Sequence, residues 1–121
     1  MLIKNKIPFV NENEVMKKAL KILNLKKLGF LVVINDHDLI TGIFTDGDLK
    51  RLMQKKRKIE NFKIKNFMTK KPYTVEESML ATDILFQMNR KKITNVCVYK
   101  GGNKRKITGV LHIHNLLDNL K

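Results

Sequence analysis

Two polar pairs at equivalent places of an internal repeat are the residues of this chain best suited to chemistry. Thr45 and Asp48 stand three residues apart in the segment Thr-Gly-Ile-Phe-Thr-Asp-Gly-Asp-Leu. The matching residues of Thr-Gly-Val-Leu-His-Ile-His-Asn-Leu are His112 and Asn115. A hydroxyl and a carboxylate at this spacing can bind a phosphate and a ribose diol, whereas an amide offers a diol fewer acceptors. The two copies therefore predict two related but unequal ligand sites.

The pair in the first copy also has a purely structural interpretation. If Thr45 ends a strand and Asp48 lies in the first turn of a helix, the two side chains form a capping box. Such a cap stabilises a helix by about 1 kcal/mol. The two interpretations are compatible, because a helix N-terminus also presents free amides and partial positive charge to an anion. Histidine is a poor cap, so capping does not explain His112, and we expect His112 to contact the anionic part of a ligand.

A zinc pair at His112 and His114 is an alternative, since the spacing places both on one face of a continuing strand. His37 would be a distant third ligand. Structural zinc sites require four ligands, and no cysteine or acidic residue is near in sequence, so two histidines facing an anion are the preferred interpretation. We find no nucleophile with a base at suitable spacing and no Walker-type loop. The sequence thus predicts a binding module without a metal or a catalytic site.

Both copies have the same predicted order of elements, which is strand, helix, strand, strand, helix. Asn11 with Glu14 three residues on has the spacing of a helix N-terminus, and the later apolar residues follow one helical face. A further helical turn is predicted at residues 64–69. The predicted strands cover residues 9–10, 30–34 and 39–44, then 73–75, 95–99 and 107–111, and the short helix of the first copy covers residues 46–55.

The length of 121 residues suits one compact domain in which two repeats share a core. We predict repeats at residues 1–63 and 64–121. The fold class is mixed α/β (α+β), with two β-α-β-β-α repeats packed through their sheets in pseudo-twofold symmetry around a cleft.

Composition restricts the environment and the partners. The single cysteine, Cys97, lies in an apolar run, which indicates a buried thiol in a reducing, cytoplasmic compartment. No apolar stretch reaches the length of a membrane span, and the N-terminus does not resemble a signal peptide. The net charge of +14 permits nucleic-acid binding, but the lysines are spread along the chain. The dense run at residues 55–58 is predicted to be a solvated linker, so nucleic acid is a less favoured partner.

Four segments resemble a known family, namely residues 42–51, 67–69, 92–94 and 109–117. They resemble CBS domains, and the whole chain is similar to a tandem CBS pair, or Bateman module. More narrowly, Thr-Asp-Gly-Asp together with His-x-His resembles the C-terminal half of the KpsF/GutQ family of arabinose-5-phosphate isomerases. Asn115 departs from the family, which often has aspartate there. The resemblance implies a regulatory fragment that lacks the N-terminal sugar-isomerase domain, has no catalytic site and requires no cofactor.

The resemblance also implies which residues bind a ligand and what the ligand is. The expected ligand is an adenine nucleotide or, by end-product logic in lipopolysaccharide synthesis, CMP-Kdo. Ribose and phosphate are expected at the helix start after the repeat motif, and the base near residues 7–10 and 28–31. The expected contact residues are Gly42, Thr45, Asp46, Asp48, Ile7, Val10, Leu28 and Gly29 for the first site, and Gly109, His112, His114, Asn115 and Thr94 for the second.

Self-association is the last expectation from the sequence. Apolar residues on the closing helices predict a homodimer, and these are Leu52, Met53, Leu116, Leu117 and Leu120. Two alternatives remain, a structural oligomerisation module with empty pockets and a nucleic-acid-binding domain.

Overall fold

The computed structural model describes residues 2–3, 6–55 and 58–119, with side chains from residue 6 to residue 117 outside that gap. The chain divides into two compact units. The first unit is Pro8–Pro72, and the second unit is Tyr73–Lys121 together with Met1–Ile7. Each unit therefore contains most of one sequence repeat, while the short N-terminal arm belongs with the second. None of the helices in the described ranges is long and apolar enough to cross a membrane.

The elements follow the predicted order, with one extra short strand in each unit. In chain order they are β1 (Leu2–Ile3), β2 (Phe9–Asn11), α1 (Met16–Lys26), β3 (Phe30–Ile34), β4 (Ile40–Thr45), α2 (Asp46–Lys55), a 3-10 turn (Ile64–Asn66), β5 (Thr69–Lys70), β6 (Thr74–Glu76), α3 (Ala81–Lys91), β7 (Asn95–Tyr99), β8 (Ile107–His112) and α4 (Ile113–Asn119). The mixed α/β fold class is confirmed.

The sheet of the first unit has the strand order β2-β3-β4-β5. β2 runs parallel to β3, and the other two pairs are antiparallel. The apolar run of β3 is almost wholly buried, as a continuous apolar strand predicts. The core that this sheet shares with α1 consists of Val10, Met16, Ala19, Leu23, Leu31, Val33, Phe44, Ile59 and Ile64.

The start of α1 differs from the sequence prediction. Asn11 ends β2 instead of capping a helix, and α1 begins five residues later at Met16. The backbone N–H of Met16 donates to the carbonyl of Phe62 at 2.8 Å, and that of Lys17 donates to the carbonyl of Glu60 at 3.0 Å. Main-chain acceptors distant in sequence therefore satisfy the first-turn amides that a local cap would otherwise satisfy. A local capping signal cannot report such a contact.

Residues 58–68, which we call the docking segment, provide those acceptors. Ile59 and Ile64 of this segment are buried in the core of the first unit. The N–H of Ile64 also donates to the carbonyl of Glu14 at 2.9 Å. The expected linker at residues 55–58 is thus followed at once by an integral part of the fold. Lys56 and Arg57 lie outside the described residues.

The sheet of the second unit has the strand order β1-β8-β7-β6 and repeats the pairing of the first. β6 is parallel to β7, and β8 is antiparallel to both β7 and β1. Its core consists of Val75, Ile84, Met88, Val96, Val98 and Leu116. Cys97 is buried, and burial raises the pKa of its thiol to about 12, so the prediction of a small buried hydrophobe is confirmed.

Candidate functional site

The junction of β4 and α2 holds the first polar pair. Oδ2 of Asp48 accepts from the backbone N–H of Thr45 at 3.0 Å. Oγ1 of Thr45 accepts from the backbone N–H of Asp48 at 3.1 Å. These reciprocal bonds form a capping box, so the structural interpretation of this pair is confirmed. The cap also fixes both side chains beside the free amides of the first turn of α2.

Asp48 has a second partner that the sequence analysis did not foresee. Its Oδ1 accepts from a guanidinium nitrogen of Arg51 at 2.7 Å, one turn further along α2. The Asp48 side chain is 16% exposed, whereas that of Arg51 is 69% exposed. Each carboxylate oxygen can accept more than one hydrogen bond, so a ligand hydroxyl at the exposed edge remains chemically possible.

Gly29 completes the backbone around this junction. It has a φ of +77°, a left-handed conformation that glycine adopts readily, and it precedes β3. Its carbonyl accepts from the N–H of Asp46 at 2.9 Å, and a Cβ on Gly29 would lie 3.2 Å from the Asp46 carboxylate. The structure therefore brings together four of the predicted residues, namely Gly29, Thr45, Asp46 and Asp48.

The four other predicted residues of the first site have different surroundings. Gly42 does not open the backbone to a ligand, because a Cβ there would lie 2.8 Å from the carbonyl of Thr69 and closer still to the Met68 side chain. Val10 packs in the core cluster of the first unit. Leu28 is partly exposed, and Ile7 is buried within the N-terminal arm. Close packing of β5 thus explains Gly42, and burial in the core explains Val10.

The second polar pair forms a cap of its own. Oδ1 of Asn115 accepts from the backbone N–H of His112 at 2.9 Å, as Asp48 does for Thr45. Nδ1 of His112 accepts from the backbone N–H of His114 at 3.1 Å. The expectation that capping leaves His112 unexplained is therefore wrong. A neutral imidazole has one unprotonated ring nitrogen, and that nitrogen can replace a cap oxygen.

The cap fixes the tautomer of His112. An accepting Nδ1 requires the ring proton on Nε2, which makes Nε2–H the donor that a ligand could contact. The two imidazole rings stack with centroids 4.7 Å apart and planes 20° apart. Partial burial, together with the nearby charge of His114, lowers the pKa of His112 below its usual value of 6.5. His112 is therefore a neutral hydrogen-bond donor at neutral pH.

Asn95 is a polar residue of this site that the sequence analysis missed. It pairs directly with His112 across β7 and β8, so both side chains lie on the same face of the sheet. Among the described residues, no group bonds to its Oδ1, which is buried. The equivalent pair in the first unit is Phe30 and Thr45. An asparagine at the start of an otherwise apolar strand, opposite a histidine, is the signal that would have identified it.

The remaining residues of the second site reproduce the backbone of the first. The carbonyl of Thr94 accepts from the N–H of Ile113 at 2.8 Å, which matches the bond between Gly29 and Asp46. Gly109 lies in β8, paired with Val98 and Ile3. Within the described ranges, no group of three His, Cys, Asp or Glu side chains is placed to hold a metal ion. The polar side chains of this site are the amides of Asn95 and Asn115, the hydroxyl of Thr94 and the imidazoles of His112 and His114.

Comparisons with known proteins agree with the repeat and its elements. The family model of the CBS domain matches residues 2–55 and 64–121. Arabinose 5-phosphate isomerase KdsD of Salmonella typhi is 36% identical over 113 residues, which are 93% of this chain and 34% of that protein. KdsD of Escherichia coli K12 is 35% identical over the same lengths. This chain therefore spans about a third of the length of the curated relatives that it matches.

Solved structures show the same fold. A CBS-domain containing protein from Agrobacterium tumefaciens superposes with a TM-score of 0.82 at 18% identity, covering 95% of this chain and 84% of that one. CBSX2, solved in complex with AMP, superposes with a TM-score of 0.80 at 23% identity, covering 99% and 91%. The predicted resemblance to a CBS pair and to the C-terminal part of arabinose-5-phosphate isomerases is confirmed, and the chain belongs to the CBS domain family.

Proposed function

We propose that this chain is the ligand-sensing regulatory part of an arabinose 5-phosphate isomerase and that it binds an adenine nucleotide or the nucleotide sugar CMP-Kdo. The match to KdsD over 34% of its length supports a part of such an enzyme, and the AMP complex of CBSX2 supports a nucleotide. The catalysis would belong to a sugar-isomerase domain in the remainder of the enzyme. The proposed setting is the cytoplasmic synthesis of the lipopolysaccharide sugar Kdo.

The observation that carries this proposal is the geometry of Thr45 and Asp48. Because the Thr45 hydroxyl accepts the Asp48 N–H, its own proton remains available to donate to a phosphate oxygen. The Asp48 carboxylate can accept from ribose hydroxyls beside it. The first-turn amides of α2 add partial positive charge at the same place. A ribose diol and a phosphate are two groups that AMP, ADP, ATP and CMP-Kdo all offer.

The second site has complementary chemistry. Asn95 offers a buried acceptor to a ligand amino or hydroxyl group, and His112 offers a neutral Nε2–H donor. Asn115 replaces a carboxylate and gives a diol weaker acceptance than Asp48. We expect this site to bind the same ligand more weakly than the first, or to prefer a different one.

The test is a calorimetric titration of the chain with AMP, ADP, ATP and CMP-Kdo. Asp48→Asn should weaken binding at the stronger site by at least about tenfold, because a hydrogen bond to a charged group contributes about 1.5–3 kcal/mol. Its stability should change little, because Asn can still accept the Thr45 N–H and an exposed ion pair contributes about 0–1 kcal/mol. Asp38→Asn is the matched control. It changes the same charge at the far end of β4, in a left-handed conformation that asparagine tolerates.

Asn95→Val is the corresponding test of the second site. It removes a buried acceptor that has no partner among the described residues, so the stability should be unchanged or higher. Binding at the weaker site should fall, and binding at the stronger site should stay within error. Titrations in which none of the four ligands binds at millimolar concentration would contradict the proposal. If Asp48→Asn lowers the stability and leaves the affinity unchanged, Thr45 and Asp48 are only a helix cap.

A second candidate function is a structural oligomerisation module, because the capping boxes already occupy the ligand-facing side chains. For this the predicted homodimer face needs exposed apolar residues. Met53 and Leu117 are exposed and Leu52 is partly buried. Leu116 is buried in the core of the second unit and cannot contribute, and Leu120 lies outside the described residues. Sedimentation at micromolar concentration with Met53→Lys and Leu117→Lys variants tests this dimer.

A further inference from the structure

The second unit contains a pocket of about 230 Å³ next to the start of α3. Four apolar residues and two consecutive glutamates line it, namely Val75, Ile84, Val98, Leu111, Glu76 and Glu77. The apolar residues come from the sheet and from α3, so the pocket is a gap on the face of the sheet that α3 covers. Val75, Ile84 and Val98 belong to the core of the second unit, so the pocket lies directly against that core.

In the first unit the docking segment packs at the equivalent place. The strand registers make Val10 equivalent to Val75 and Val33 equivalent to Val98. The four counterparts of the apolar lining are Val10, Ala19, Val33 and Phe44, and all belong to the core cluster that contains Ile59 and Ile64. Two isoleucines five residues apart therefore pack, in the first unit, with the counterparts of the residues that line the pocket in the second.

The start of α3 lacks the partners that α1 has. In α1, the amides of Met16 and Lys17 donate to carbonyls of the docking segment. Their counterparts Ala81 and Thr82 donate to no equivalent acceptor within the described residues. Leu80, which precedes α3, is 67% exposed, whereas its counterpart Val15 is 37% exposed and bridges to Lys63 of the docking segment. Apolar surface and helix amides are thus open together on one edge of the second unit.

We propose that this edge is the docking groove for the polypeptide segment that leads into β1, a segment carrying two large aliphatic side chains five residues apart. Ile3 pairs with Gly109 as Lys70 pairs with Gly42, so β1 joins the second sheet as β5 joins the first. The docking segment runs directly into β5, and by the same geometry a segment that runs into β1 would reach the start of α3. The glutamates of the groove favour a basic segment, and the docking segment carries three lysines, namely Lys58, Lys63 and Lys65. This inference rests on the proposed function, in which the chain is one part of an enzyme of the length of KdsD, of which it spans 34%.

The test grafts a copy of residues 58–67 directly before Met1 of the intact chain. The melting temperature should rise by roughly 5–10 °C, because the graft buries two isoleucine side chains. The methyl NMR signals of Val75, Ile84 and Leu111 should shift and show contacts to the graft. The matched control graft has alanine in place of both isoleucines and should produce neither effect.

Two results would overturn the proposal. One is an isoleucine graft that matches the alanine graft in melting temperature and in the methyl signals. The other is an ungrafted chain that sediments as a dimer and whose pocket methyl signals move on dilution, because a second copy then covers the groove. If the graft prevents folding, the same ten residues added as a free peptide to the ungrafted chain provide the methyl-shift measurement.

Discussion

Replacing Ile64 by alanine should destabilise the first unit strongly, although Ile64 lies between the two sequence repeats. Its side chain is fully buried among α1 and the sheet, and its N–H donates to the carbonyl of Glu14. Ile64→Ala removes three carbon atoms from this core and keeps the backbone bond. The loss therefore measures the packing of the docking segment and not its main-chain capping.

The expected magnitude follows from burial. Each buried methylene contributes about 0.8 kcal/mol, so the transfer loss alone is about 2.4 kcal/mol. The cavity adds to this loss, because α1 and the sheet hold its walls, and Ile→Ala substitutions in cores cost about 2–5 kcal/mol. We expect a loss of about 3–4 kcal/mol in the free energy of unfolding. Small domains have about 5–15 kcal/mol in total, so this is a large share.

Urea unfolding followed by circular dichroism measures the change. The matched control is Leu25→Ala, which removes a similar apolar group from a residue that is 78% exposed on α1. The control should stay within about 0.5 kcal/mol of the unmodified chain. A loss below about 1 kcal/mol for Ile64→Ala, with an unchanged slope against urea, would refute the assignment of the docking segment to the core.

Two further predictions concern Gly42 and His112. Gly42→Ala should cost about 1–3 kcal/mol, because its Cβ would lie 2.8 Å from the Thr69 carbonyl, whereas Gly102→Ala, in open space, should cost little; thermal melts of both variants measure this. For His112, the lowered pKa means that the stability from its neutral form is present above pH 6.5 and is lost as the pH falls through the folded-state pKa. Between pH 7.5 and pH 5, the melting temperature of His112→Asn should therefore fall less than that of the unmodified chain, because asparagine keeps a capping acceptor that does not titrate. Equal falls in the two proteins would contradict this cause.

The sequence was most informative where structure depends on local periodicity. The strands at residues 30–34 and 95–99 and the helix at 46–55 have the predicted bounds. Both strands are short, largely apolar runs, and the helix begins at a local signal, the capping box of Thr45 and Asp48. The first polar pair was recognised for the same reason, because both members lie on one turn.

The sequence was least informative where the deciding contact is distant. The start of α1 depends on carbonyls of residues 60 and 62, and no pattern near Asn11 reports them. The two-residue strands β1 and β5 are too short for any periodicity. Asn95 was missed because its importance lies in the residue opposite it on β8. Strand pairing and tertiary caps are properties of the folded chain that local propensity does not encode.

The two units share a backbone arrangement and differ in the side chains placed on it. In both, a carbonyl before the second strand accepts the first amide of the closing helix, and a side chain in the first turn accepts the amide that ends the preceding strand. The two units place different residues at three equivalent positions of this backbone arrangement. The residue that ends the strand is threonine or histidine, the first-turn acceptor is aspartate or asparagine, and the residue paired across the sheet is phenylalanine or asparagine. The cap is therefore compatible with several chemistries, and its presence in both units cannot by itself indicate a ligand.

The information about a ligand lies in the atoms that the cap does not use. In one unit these are the Thr45 hydroxyl proton and the free edge of Asp48, and in the other they are Nε2–H of His112 and Oδ1 of Asn95. These atoms differ in charge and in hydrogen-bonding direction, so the two units present different hydrogen-bonding groups, and the proposed nucleotide sensor therefore predicts unequal affinities at the two sites.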